Sequence, residues 1–256
     1  MTHPYFDRAR HPRILAHRGL TTASDPQSPV WDNTAAAFAA AHAAGAEYIE
    51  TDCRVTADGD IVLFHDETLA RLLGDDRGVA EVRTRELAEL LAPSGGLLTV
   101  AEMLAMFPET RFNIDVKTDA AAAPLGSVIA PHAHRVLLTS FSDARRRRTV
   151  AAVLDAGAKI RPATSAGQQS VIQVRLLSML GLSPTRVLSD LDTLQIPERY
   201  GAVKVLTPAL VSAAHRVGVE VHVWTVNDPE DMLRLVGEGV DGIVTDRVDI
   251  ALETLT

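Results

Sequence analysis

The sequence predicts a single-domain TIM (β/α)8 barrel. Short apolar, β-like runs alternate with helical runs from one end of the 256 residues to the other. About eight such steps in about 250 residues is the size of this fold. Residues with acid, base or ligand chemistry also recur at the ends of the β-like runs: His17, Glu50, Asp52, His65, Asp115, Lys117 and Trp224. In a β/α barrel that is the functional face. An open, doubly wound sheet gives the same alternation and is the competing architecture. No linker rich in Pro, Gly or Ser divides the chain, so residues 1–256 read as one domain with a core of about 13–252.

In chain order, Arg13–Gly19 reads as a strand and Thr34–Ala44 as an alanine-rich helix closed by Gly45, with Asn33 placed to cap it. Tyr48–Val55 is a strand. Ala57-Asp58-Gly59-Asp60 is a tight turn, and Ile61–His65 is the return strand. Glu67–Ala80 is polar and Gly/Asp-rich and reads as a long loop. Helices are expected over Thr84–Leu91, Val100–Met106, Ala120–Pro131, Ala144–Ala156 and Gln169–Leu180, and strands over Arg111–Lys117, Arg135–Ser142 and Lys159–Thr164. Arg186–Leu206 is the least patterned stretch, with two short strands expected around Leu194 and Val205. Pro208–Val217 is a helix that begins with proline and stops before Gly218. Strand Glu220–Val226, helix Asp228–Val236, strand Gly242–Thr245 and helix Asp249–Leu255 complete the series.

A hydrophobic fraction of 46% is ample for a core. A net charge of −8 argues against a nucleic-acid binder, which would carry a basic stripe. It leaves room for a small anionic substrate held by local cations. Cys53 is the only cysteine, which excludes an intrachain disulfide and a cysteine-metal cluster. With no secretory leader in the first residues and no run of membrane-spanning length, the expectation is a cytoplasmic protein without stable membrane association.

Glu50 and Asp52 are two apart in a strand and point to one side. Two inward carboxylates repel each other and lose hydration, and a bound cation removes both costs. Asp115 and Lys117 repeat the pattern in Phe112-Asn113-Ile114-Asp115-Val116-Lys117. Three oxygen ligands suit Mg²⁺ or Ca²⁺; a structural ion-pair network in which Lys117 neutralises the acids is the alternative. His17 and His65 are candidate acid and base, since imidazole both takes and gives a proton near neutral pH. Arg18 offers a guanidinium suited to phosphate, provided Gly19 allows a turn that brings it to the side of His17. Asn33 serves either as a cap or as a phosphate contact at a helix start. Trp224 either stacks on a polyol or packs at the rim. The run Arg145-Arg146-Arg147-Arg148 reads as a solvated helix face, and Cys53 as an inert core thiol.

Taken together, Ala16-His17-Arg18-Gly19, Asn33-Thr34, Glu50-Thr51-Asp52, Asp58-Gly59, Phe64-His65-Asp66, Asn113-Ile114-Asp115-Val116-Lys117, Val223-Trp224-Thr225-Val226-Asn227-Asp228 and Asp241-Gly242-Ile243-Val244-Thr245-Asp246 resemble the glycerophosphodiester phosphodiesterase family over nearly the whole chain. The resemblance implies a TIM barrel, a divalent cation (Mg²⁺ or Ca²⁺) and hydrolysis of glycerophosphodiesters to sn-glycerol 3-phosphate and an alcohol. It implies His17 and His65 as the acid/base pair and Glu50, Asp52 and Asp115 as metal ligands. Arg18 and Lys117 would hold phosphate, and Trp224 would line the glycerol pocket. The chain departs from the family in Asp32 and Asp115, where glutamate is usual. A related barrel that cleaves lyso-phospholipids or phosphoinositides to a cyclic phosphate would need an exposed apolar rim, and no Trp/Phe/Leu cluster in the loops suggests one. A phosphoester-binding barrel without catalysis would have lost a histidine, and both are present.

Overall fold

In the computed structural model, residues 3–21 and 30–256 are described. Eleven strands are present among them: β1 (Arg13–His17), β2 (Tyr48–Val55), β3 (Ile61–Leu63), β4 (Arg111–Val116), β5 (Val136–Thr139), β6 (Ala163–Thr164), β7 (Thr193–Ile196), β8 (Arg199–Tyr200), β9 (Val203–Lys204), β10 (Glu220–Val223) and β11 (Gly242–Thr245). The main sheet runs β6-β5-β4-β2-β1-β11-β10-β7, with every neighbouring pair parallel. A parallel bridge between Ser165 and Thr193 joins its two ends and closes the barrel. The open-sheet alternative is thereby excluded.

Alternation along each strand sorts residues into two compartments. Ile14, Ala16, Ile49, Phe112, Ile114 and Leu138 face outward into one large core beneath the surrounding helices, and Cys53 is buried there as expected. Leu15, Tyr48, Leu137, Ala163 and Val244 face inward, where the N-terminal Tyr5 and Phe6 pack on them. No helix among the described residues is long and apolar enough to cross a membrane.

Several elements differ from expectation. Strand Lys159–Thr164 shrinks to Ala163–Thr164 because Pro162 has no N–H to give the ladder. The Glu67–Ala80 segment holds a short helix, Ala70–Leu73, and a 3₁₀ turn, Val79–Glu81. Leu69, Val79, Val82 and Leu87 bury a separate apolar cluster there against Val62 and Phe64 of the β3 side. The strand expected around Val205 is the hairpin β8–β9. The arginine run is not wholly solvated: Arg146 is buried and pairs with Asp190 at 3.0 Å, while Arg145 and Arg148 share Asp119. A helix starting at Asp143 turns one residue of four towards the barrel.

Candidate active site

His17 is the last residue of β1, and the chain turns sharply after it. Arg18 (φ +57°) and Gly19 (φ +94°) both take left-handed backbone. At Gly19 a Cβ would lie 2.7 Å from the Ala37 carbonyl carbon, so no other residue fits without a shift. The turn falls on Arg18 itself, one residue earlier than the glycine suggested. It swings the guanidinium to the His17 side, with Nε 3.0 Å from Asp52 Oδ2 and Nη1 donating to Asp32 Oδ2 at 3.1 Å.

In the parallel ladder His17 lies opposite Glu50, Glu50 opposite Asn113 and Asp52 opposite Asp115. The inward carboxylates of β2 and β4 thus stack at the C-terminal mouth of the barrel. His17, Arg18, Glu50, Asp52, His65, Asp115 and Lys117 all line one pocket of about 530 Å³, and Trp224 lines it from the far side. Eight of the nine candidate residues therefore meet in one place.

Asn33 is the exception. Thr34, not Asn33, caps the helix Ala35–Ala43, accepting from Ala37 N. Asn33 holds left-handed backbone (φ +60°), which asparagine tolerates better than most residues. Its side chain is buried beneath the pocket. Nδ2 donates to Asp52 Oδ2 at 3.0 Å, and Oδ1 accepts from Thr51 Oγ1 at 2.7 Å. It orients a carboxylate from behind and does not face the pocket.

The two histidines are held alike. His17 Nδ1 is 2.6 Å from Asp246 Oδ1, and His65 Nδ1 is 2.9 Å from Asp66 Oδ1. A carboxylate at Nδ1 makes that nitrogen the N–H and leaves Nε2 for chemistry. Asp246 is fixed in turn by Asn227, whose Nδ2 donates to Oδ2 at 2.8 Å and whose Oδ1 accepts from Asp246 N at 2.9 Å. Arg71 joins Asp66 to Asp32, and Asp32 reaches Arg18. Asp246, Asn227, Asp66 and Arg71 carried no role in the sequence reading. Asp246 follows the last residue of β11, so the strand-end rule that found Glu50 would have found it too. Burial pushes the His17 imidazolium down, but the hydrogen bond to Asp246 and the charge of Glu50 outweigh it, so its pKa lies above the ordinary value.

The carboxylates are strongly perturbed. Burial, then the charge of Asp52, pushes Glu50 up to about 8. Burial also raises Asp115. Asp52 is buried as well, yet Lys117 and Arg18 hold it below its usual range. Lys117 Nζ lies 2.9 Å from Asp52 Oδ1 and 2.5 Å from Asp115 Oδ2. Among the described residues no three His, Cys, Asp or Glu side chains already converge as a metal shell, and Lys117 provides the neutralising charge. Glu50 Oε2 and Asp115 Oδ1 are nonetheless buried with no hydrogen-bond donor. Such orphaned acceptors are costly unless a positive charge reaches them, so the donor set fits a hard divalent cation.

This geometry has counterparts. The profile of the Glycerophosphoryl diester phosphodiesterase family matches residues 17–250. The chain belongs to that family. It is, by class, a phosphoric diester hydrolase. It is 37% identical over 246 residues to "Probable glycerophosphodiester phosphodiesterase 2" of Mycobacterium tuberculosis, covering 94% of this chain and 89% of that protein. Its fold matches the crystal structure of glycerophosphodiester phosphodiesterase from Thermotoga maritima, with a TM-score of 0.71, 24% identity and coverage of 96% and 99%. It also matches an Oleispira antarctica phosphodiesterase solved with the product sn-glycerol-3-phosphate, with a TM-score of 0.69, 21% identity and coverage of 96% and 97%.

The remaining wall of the pocket was not anticipated. Phe141, Ile172, Leu176, Tyr200 and Val203 line it, and all five are substantially exposed. The expected absence of an apolar rim is therefore overturned. The rim is built by a helix, a hairpin and, at Phe141, the loop that follows β5. No residue of 67–96 lines the pocket.

Proposed function

We propose that this protein hydrolyses glycerophosphodiesters to sn-glycerol 3-phosphate and an alcohol by histidine acid–base catalysis assisted by a divalent cation. One observation carries the reading: two imidazoles, each tied through Nδ1 to a carboxylate, share one pocket with Arg18, Lys117 and three inward acids. One histidine takes the proton of the attacking hydroxyl, and the other gives a proton to the departing oxygen. The attacker is either water or the substrate's own glycerol 2-hydroxyl, which would form a cyclic phosphate first. Arg18 and Lys117 offer positive charge to the phosphate oxygens. Trp224 offers an aromatic face to the glycerol carbons.

Glu50, Asp52 and Asp115 would hold the cation, Mg²⁺ or Ca²⁺ by their oxygen chemistry. When bound, it supplies Lewis-acid polarisation of a phosphate oxygen and relieves the mutual repulsion of the acids. Lys117 neutralises two of these acids here and lines the same pocket. The product seen in the Oleispira antarctica neighbour agrees with this reading.

The test is release of sn-glycerol 3-phosphate from glycerophosphocholine, with EDTA and then with added Mg²⁺ or Ca²⁺. Release that disappears with EDTA and returns with a cation supports both halves of the reading. Release unaffected by EDTA removes the cation and leaves the histidines. No release under any condition removes the substrate class.

A further inference from the structure

We infer that Asn113 belongs to the cation site: its side-chain carbonyl Oδ1 is a further, uncharged oxygen ligand beside Glu50, Asp52 and Asp115, and Gln195 and His222 hold it in that orientation from behind. This rests on the cation half of the function proposed above and adds a residue to it.

Asn113 is 2% exposed, lies opposite Glu50 in the β2–β4 ladder and lines the same pocket. It is two residues from Asp115 on β4, so both side chains point inward. Its Oδ1 is buried with no donor. Among the described residues, the side-chain carbonyl and carboxylate oxygens in that condition are those of Glu50, Asn113 and Asp115, and all three residues line the pocket. Asp52 differs, since Lys117 reaches one of its oxygens and Arg18 and Asn33 the other. Neighbouring strands lie about 4.8 Å apart, so one ion between β2 and β4 can meet oxygens from both. Buried acceptors without donors are costly, and here they share one place. A hard divalent cation takes amide carbonyls as readily as carboxylates. The amide adds an oxygen without adding to the repulsion among the three acids.

A row of hydrogen bonds through the barrel interior fixes which way the amide faces. Glu220, ion-paired with Arg13 at the start of β10, only accepts, so His222 Nε2, 3.1 Å away, donates to it. His222 is fully buried, and its Nδ1 is then an acceptor for Gln195 Nε2 at 3.4 Å. These two residues lie opposite each other in the β7–β10 ladder. Gln195 is thereby turned with Oε1 towards Asn113, and Asn113 Nδ2 donates to that oxygen at 3.1 Å. The remaining atom of the amide, Oδ1, is left for the pocket. The carboxylate at the closed end thus sets the direction of each bond in turn, up to the floor of the site. Gln195 and His222 are positioning residues in this arrangement, because they act through Asn113.

The experiment strips the full chain with EDTA and titrates it with Mg²⁺, then Ca²⁺, by calorimetry in the absence of substrate, with a urea curve for each variant. Asn113→Leu keeps the shape and removes the oxygen, and its cation Kd should rise at least about tenfold. Asn113→Asp returns an oxygen to the same place and should bind the cation at least as tightly as the wild type. Gln195→Leu keeps the amide but frees it to turn, and should raise Kd by less than Asn113→Leu. An unchanged Kd in folded Asn113→Leu overturns the inference and leaves the function proposed above intact. If KM for glycerophosphocholine rises in that variant while Kd stays put, Oδ1 serves a substrate hydroxyl and the inference falls as well. Equal weakening in Asn113→Leu and Asn113→Asp overturns it too, because packing and not an oxygen is then what was lost. Should Asn113→Leu fail to fold, folded Gln195→Leu decides, and a wild-type Kd there overturns the arrangement. A wild type that binds neither cation overturns the inference together with the cation half of the parent reading, and turnover of glycerophosphocholine in EDTA then decides the histidines separately.

Discussion

Two glutamates at opposite ends of the barrel, Glu50 buried and Glu220 half-buried, have opposite fates. Glu220, at the start of β10, has both oxygens satisfied: Arg13 donates to each, at 2.9 and 3.3 Å, and His222 Nε2 lies 3.1 Å away. Burial alone would raise its pKa, but those contacts outweigh it and hold it at about 2. Glu50, at the other end, has an oxygen with no donor and is pushed up to about 8. The difference lies in what surrounds the residue. The bottom is closed by Tyr5 and Phe6, with Arg13 stacked 5.5 Å over the Phe6 ring, and its acid is already paired. The top is left open and its acids are short of positive charge. A barrel holding buried acids without donors at one end is spending stability on something it expects to bind.

The largest expected effect comes from breaking the chemistry at the open end without touching the closed end. His17→Ala and His65→Ala should each lower kcat by about 10²- to 10⁴-fold. Neither should change the urea midpoint much, because both side chains sit at the rim. Steady-state kinetics beside a denaturation curve decides it, and near-normal turnover in either variant removes that histidine from the mechanism.

The paired glutamates give the next largest effects, with opposite signs. Glu220→Gln leaves Arg13 buried without its counter-ion and should cost about 1–3 kcal/mol with little change in turnover per folded molecule. Glu50→Gln removes the cost of holding, in the folded chain, a proton that the unfolded chain releases, and should gain about 0.5–2 kcal/mol near neutral pH while lowering activity. The pH dependences should also oppose. Glu220 is depressed from 4.5 to about 2, so its stabilisation is complete above 4.5 and fades as pH falls towards 2. Glu50 is raised from 4.5 to about 8, so between those values the folded chain keeps a proton that the unfolded chain has lost. Metal-free stability should then fall as pH rises through that window. Mg²⁺ or Ca²⁺ at about a hundredfold its Kd should restore about 2.7 kcal/mol at the upper end. Denaturation of the wild type and both variants across pH, with and without cation, reads all of this. A Glu50→Gln variant less stable than wild type at pH 8 would reverse the comparison.

How much of this contrast was legible in the sequence depends on scale. The barrel and its functional face were, because β/α alternation and strand-end chemistry are local patterns. The inward direction of Glu50 and Asp52 was, because a strand's period fixes it. Asn33 was misread because its neighbour Thr34 caps equally well, and only the left-handed backbone at Asn33 turns the amide under Asp52. Asp246 was passed over because its partner lies 229 residues away. The apolar wall was invisible for a different reason. Ile172 and Leu176 look like any buried helix face, and their exposure is set by the neighbouring hairpin that leaves them uncovered. The bottom plug of Tyr5 and Phe6 likewise hides in a stretch that is polar on average.

A smaller effect probes how the open end tunes its base. Asp246→Asn keeps the shape but removes the charge at His17 Nδ1. The imidazolium should lose support, and the limb of the kcat/KM profile that reports His17 should move to lower pH. Turnover should fall less than in His17→Ala. Asn227→Ala, which leaves Asp246 charged but loosely held, should lower kcat with a smaller displacement of that limb. If both variants shift the profile equally, charge is not what Asp246 contributes and its role is steric.

The smallest expected effect belongs to Trp224, and it separates packing from recognition. The ring lines the pocket and meets Phe141 edge-on. Trp224→Phe keeps an aromatic face but shrinks it, at a cost on the order of 0.5–1.5 kcal/mol wherever that face is used. If the face is used by bound substrate in ground state and transition state alike, KM should rise about two- to tenfold with kcat nearly unchanged. If it is only part of the rim, the same energy should appear as lost stability, with both kinetic constants at wild-type values. One variant measured in a kinetic assay and a denaturation curve assigns the energy to one account or the other, because a side chain that only packs cannot move KM and one that only binds cannot move the unfolding midpoint.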